Sequence, residues 1–100
     1  LASHRFPSGA FLCGISYLEY KSRWIAVIGC LQDPVEDRPA PIYIIDAKSY
    51  ELLSTIRPKE DLGIELAQHL HNVALHIHDG ELYLVCQAWK PGHYFVLQKI

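Results

Sequence analysis

Six histidines, three cysteines and a short acidic stretch are the residues of this 100-residue chain best suited to chemistry. His69 and His71 stand two apart, so in an extended segment both imidazoles face one side and could share a metal ion. His76 and His78 also share a strand face, but they border Asp79-Gly80 and read as a solvated surface. Asp33, Glu36 and Asp37 gather three carboxylates without the regular oxygen spacing and glycine turn of a calcium loop, so a flexible solvated loop is expected there. Cys13, Cys30 and Cys86 are widely spaced and odd in number, which allows at most one disulfide and leaves one thiol over. They form no Cys-x-x-Cys or His-Cys pattern and read as small buried hydrophobes in strands. No nucleophile elbow, phosphate loop or dinucleotide fingerprint occurs. Trp24 reads as a packing residue. Trp89, beside Lys90-Pro91-Gly92, could present its ring to a ligand or protein, and with His69 and His93 it makes up a candidate ligand or partner surface.

The elements that must position these residues are short β-branched and aromatic runs separated by turn residues, the pattern of antiparallel β structure. The runs are Phe11 to Leu18, Trp24 to Leu31, Ile42 to Asp46, Glu51 to Ile56, Val73 to Ile77, Glu81 to Gln87 and Tyr94 to Ile100. Asp46-Ala47-Lys48-Ser49 supplies a reversal, because Asp and Ser bond their own nearby backbone. Asp79-Gly80 accepts the positive φ angles of a tight type I′ hairpin, and Lys90-Pro91-Gly92 makes a third turn. Residues 32–41 are polar and proline-rich and can continue neither flanking strand. Residues 58–72 are ambiguous: Leu62, Leu66 and Leu70 fall at i, i+4 and i+8 and could line a two-turn helix, or the segment could be an irregular linker.

An internal repeat organises these runs. With an offset of 58 residues, Ile15 falls on Val73, Tyr17 on Leu75, Ser22 on Gly80, Trp24 on Leu82 and Val27 on Val85. Ile42 to Ile45 then matches Tyr94 to Leu97 if the proline-rich loop is an insertion. In the second unit Val73, Leu75 and Ile77 point one way and Ala74, His76 and His78 the other. Repeated units that cannot bury their own faces must stack on one another.

Charge and hydropathy exclude two partner classes. The net charge is −2 and the nine Lys and Arg are scattered without a basic patch, which argues against nucleic acid. The longest apolar run, Trp24 to Leu31, is far short of the roughly 18 residues that cross a bilayer as a helix. The chain starts at Leu1 with no signal-peptide pattern, which suits a processed product or a fragment.

The string from His71 through Asp79-Gly80 to Val85 resembles the inner hairpin of an NHL repeat, with a histidine entering an apolar strand, Asp-Gly, and a second strand carrying a central aromatic. Ile42 to Asp46 with Glu51 to Ile56 is similar to the outer hairpin of a propeller blade. Gln87 to Tyr94 and Leu97 to Ile100 resemble closing strands of NHL proteins related to the peptidyl-hydroxyglycine amidating lyases. The resemblance implies an all-β fold of antiparallel meanders, about two blades of a six-bladed β-propeller. The expected division is a first blade-like unit at 1–58 containing the loop 32–41, a linker or short helix at 59–72, and a second, incomplete unit at 73–100. It further implies that His71 stands where lyase-like members place a zinc ligand, although Leu70 replaces the usual proline and Cys13 occupies the same place in the first unit. The implied partners are the remaining blades or another protein, and the implied location is secreted or extracellular. Three functions follow: a scaffold that binds protein or ligand, part of a zinc-dependent lyase or hydrolase, or a compact α+β interaction domain in which 59–72 is a helix lying on a sheet.

Overall fold

The computed structural model describes residues 6, 11–35, 37–65, 67–88 and 92–99. Its strands are β1 Phe11–Tyr20, β2 Arg23–Gln32, β3 Ile42–Asp46, β4 Leu52–Ile56, β5 Leu70–His78, β6 Glu81–Ala88 and β7 His93–Gln98, with one short helix, α1 Pro58–Leu62. All the ladders are antiparallel and join sequence neighbours, giving a four-stranded sheet β1-β2-β3-β4 and a three-stranded sheet β5-β6-β7. The protein is all-β, as its apolar runs predict.

Local chemistry explains the reversals. Lys21 and Ser22 between β1 and β2, and Asp79 and Gly80 between β5 and β6, all have positive φ, the condition of the type I′ turn that matches strand twist. At the β3–β4 corner the Asp46 carboxylate accepts hydrogen bonds from the Lys48 and Ser49 backbone N–H groups at 2.8 and 2.9 Å, and the Ser49 hydroxyl accepts from the Glu51 N–H.

The ambiguous segment resolves against the α+β alternative. Helix α1 has Pro58 in its first turn and its first turn is closed by the Asp61 carboxylate, which accepts from the Arg57 N–H at 2.8 Å. Gly63, in the left-handed region at φ 70°, then ends the helix after five residues. Leu62 is exposed rather than core-facing, Leu70 already belongs to β5, and Leu66 lies outside the described residues. Leucine spacing suited a longer helix, but the glycine terminates it and the strand claims Leu70.

The repeat is visible in the ladders. In β1–β2 the opposed pairs are Leu12 with Cys30, Ile15 with Ile28, Tyr17 with Ala26 and Tyr20 with Arg23. In β5–β6 they are Leu70 with Ala88, Val73 with Cys86, Leu75 with Leu84 and His78 with Glu81, each at the matching position. Both hairpins are irregular at the same place, between Leu12 and Ile15 and between Leu70 and Val73. The third strands also correspond: Val27 faces Ile44 as Val85 faces Val96.

The main core lies between the sheets. Val27 and Ile42 of the first sheet meet Leu70, Val73, Leu84, Cys86 and Ala88 of the second, with Ala40 and Ala67 contributed by the connections. A smaller cluster of Ala26, Ile28 and Ile45 lies on the other face of the first sheet, where Phe6 stacks on Tyr43 at 4.9 Å.

Candidate cleft between the two sheets

The sheets touch most closely along β1 and β5. A Cβ built on Gly14 would lie 2.8 Å from Asn72 Cα, 2.9 Å from the His71 oxygen and 3.0 Å from Val73 N, so only glycine admits this backbone approach. Two residues on, the Ser16 hydroxyl accepts a hydrogen bond from the Leu75 N–H at 3.1 Å. The two strand irregularities therefore face each other, with Cys13-Gly14 against His71-Asn72.

Away from that contact the sheets diverge and leave an apolar cleft of about 560 Å³. Ile44 and Ile56 form one wall, and Leu75, Leu82, Leu84 and Leu97 form the other. Period-two alternation creates it, because these positions are the inward set of their strands. Lys21, Arg23 and Lys99 stand among its lining, brought there by the β1–β2 turn and the end of β7, and no carboxylate lines it among the described residues. Arg23 is held by Asp46 at 3.1 Å, and Lys21 lies over the Tyr20 ring. The Ser49 and Lys48 N–H groups, together with Arg23, hold the Asp46 carboxyl below its usual value.

The residues singled out from sequence are dispersed. His69 is half-buried, and its Nδ1 bonds the Leu31 carbonyl oxygen at 2.8 Å, which requires Nδ1 to carry the proton. His71 is half-buried in the irregular start of β5, and His93 opens β7 with its ring stacked 6.3 Å from Phe95. Trp89 and Glu36 lie outside the described residues. His76 and His78 are exposed with rings 6.4 Å apart, and His78 Nε2 meets Asp79 at 3.2 Å. Among the described residues no group of three or more His, Cys, Asp or Glu is placed to hold a metal.

The acidic loop departs from expectation. Asp33 is 1% exposed rather than solvated. Its carboxylate accepts from Arg57 Nη2 and from the Val35 N–H, both at 2.8 Å. Burial by itself would raise its pKa, but the Val35 bond and then the Arg57 bond and charge outweigh it and hold the group below its usual value. Arg38 meets Glu60 at 3.3 Å and the Ala40 N–H donates to the Gln68 carbonyl, so Asp33, Arg38 and Ala40 are fastened to the segment leading into β5. Sequence reasoning missed this because Asp33 and Arg57 are partners only across the sheet connection.

Cys30 and Cys86 are buried free thiols, as their strand positions predict, but Cys13 departs from the same expectation and is an exposed free thiol, because it lies in the irregular stretch of β1, an edge strand, rather than in the packed centre of its sheet. Burial, then the nearby Asp33 and Cys13, pushes Cys30 up to about 12, and burial alone does the same to Cys86. Neither is a nucleophile at neutral pH.

The class defined by these observations is an all-β protein of two stacked antiparallel meanders with an apolar cleft between them. Comparison with protein-family models, curated proteins and solved structures finds no match for the chain.

Proposed function

We propose that the chain is a propeller-type binding scaffold, two meander units of an NHL-like array, and that its inter-sheet cleft takes an elongated apolar molecule with an anionic head. The observation that carries this reading is the cleft itself. Its volume of about 560 Å³ lies within the range of small-molecule sites, and its walls are aliphatic. Three cationic side chains stand among the lining, where a carboxylate head could meet them while its alkyl tail replaces water against leucine and isoleucine. The repeated hairpins and matching irregularities support the array reading.

Calorimetric titration with dodecanoate and with dodecanol tests the assignment. Dodecanoate is expected to bind more tightly than the alcohol, and added salt should narrow the difference as screening weakens the head contact. Leu75→Trp, which fills the cleft, should abolish binding of both. Lys21→Glu with Lys99→Glu should weaken dodecanoate by about tenfold, the effect of two partly solvated charge contacts, and leave dodecanol unchanged. Equal binding by wild type and the Leu75→Trp variant, or no binding to wild type, would refute the site.

A further inference from the structure

The internal repeat also says what fits the two faces that the molecule leaves open. Antiparallel pairing puts opposed residues on one face, so Ile15, Tyr17 and Trp24 lie on the side of the first sheet turned away from the second. Their counterparts in the second unit are Val73, Leu75 and Leu82, which lie on the face that closes against the first sheet. The side that β5 presents inward is thus the side that β1 presents outward, with Ile15 65% and Tyr17 68% exposed. Phe6 covers the Ala26, Ile28 and Ile45 part of that outer face and leaves the β1 strip open.

The converse holds on the second sheet. Its outer face carries Ala74, Val85 and Val96 in one row across β5, β6 and β7. These are the counterparts of Ser16, Val27 and Ile44, the row against which β5 packs within the chain. Val85 and Val96 are exposed, while Val27, the counterpart of Val85, is completely buried and Ile44, the counterpart of Val96, is half-buried. Each open face therefore corresponds, position by position through the repeat, to the face that is closed on the opposite sheet.

We propose that a second copy of this chain docks head to tail, its β1 strip of Ile15 and Tyr17 seated on the Ala74, Val85 and Val96 row of the first copy. The contact pairs the same faces as the one made within each chain, at a wider spacing. It is heterologous, since different faces meet, and so it propagates or closes a ring rather than stopping at a pair. Three replacements make the contact between chains wetter and wider than the internal one. His76 stands at the place of Leu18, while Asn72 and Gln87 stand at the places of Gly14 and Gly29, the two positions whose missing side chains admit β5 within the chain, so the copies sit farther apart than the two sheets of one chain. Association is therefore reversible and concentration-dependent.

The test uses two variants that each remove one face, Tyr17→Lys and Val85→Lys, both at exposed positions outside the cleft, so its outcome is independent of ligand binding. Circular dichroism first checks that both retain the wild-type fold. In sedimentation velocity the wild type should pass from the 11.4 kDa monomer to larger species as concentration rises, while each folded variant alone stays monomeric. Mixed together, the variants should form a one-to-one complex, because Tyr17→Lys keeps the second-sheet face and Val85→Lys keeps the β1 strip. A wild type that stays monomeric throughout, variants that each still self-associate, or a mixture of folded variants that forms no complex overturns the proposal. If either variant is unfolded, Ile15→Lys and Val96→Lys are substituted under the same criteria.

Discussion

Replacing Gly14 by alanine tests the closest contact between the sheets. The added Cβ would meet three atoms at 2.8 to 3.0 Å, and all three are backbone atoms of residues 71 to 73 in β5. No rotamer change relieves such a contact, so the sheets must separate or β5 must bend. Overpacking of this kind costs about 1–3 kcal/mol, while alanine gains about 0.5–1 kcal/mol over glycine within a strand. The balance is a loss of up to about 2.5 kcal/mol, centred slightly above 1 kcal/mol, and at that centre the melting temperature of a domain this size falls by roughly 5–10 °C. Gly29 gives the matched contrast, because its added Cβ would lie 2.8 Å from Val73 Cγ1, a side-chain methyl. Val73→Ala should therefore rescue Gly29→Ala and fail to rescue Gly14→Ala. Thermal melts followed by circular dichroism, with urea titrations to fix the free energies, read both comparisons. A Gly14→Ala protein at least as stable as wild type, or one rescued by Val73→Ala, would show that the sheets are not held at this backbone contact.

Two other expectations follow from positions already described. Ser22 sits at φ 64° in a turn whose counterpart holds Gly80 at φ 76°, so Ser22→Gly should stabilise the protein by roughly 0.5 kcal/mol, the relief of left-handed strain less the glycine entropy; a lower urea midpoint for the variant would contradict it. Asp33→Ala should cost about 3 kcal/mol at neutral pH, because it leaves the Arg57 charge without its buried partner. The pKa of Asp33 is depressed from 3.8, so the stability it supplies is present above about pH 4 and is lost as pH falls through the lower folded value. The wild-type and variant stability curves should accordingly converge on acidification; curves that stay parallel would mean that the pair contributes nothing.

Most of the fold was legible because its signals are local. Each strand is an apolar run with turn residues at its ends, and Asp46 and Asp79-Gly80 reverse the chain through bonds or φ angles that involve only near neighbours. The offset that lays Ile15 on Val73 survives into the ladders, since period-two alternation ties residue identity to face. What stayed hidden depends on pairs far apart in sequence. Gly14 reads as an ordinary glycine until β5 passes over it, and Asp33 reads as a solvated acid until Arg57 reaches it. His69 looked available as a ligand, and the Leu31 carbonyl occupies one of its nitrogens. The cleft and its three cations are a product of how far the two sheets diverge, which no run of residues encodes.

Each sheet is completed by strands that follow one another along the chain, and a single covalent passage, residues 57 to 69, joins the two. Among the described residues no strand of one unit is lent to the other. A gene encoding such a chain can therefore grow by tandem duplication of one segment, without rethreading the polypeptide or breaking a ladder. The matching irregularities at residues 12–15 and 70–73 are the mark that such copying would leave.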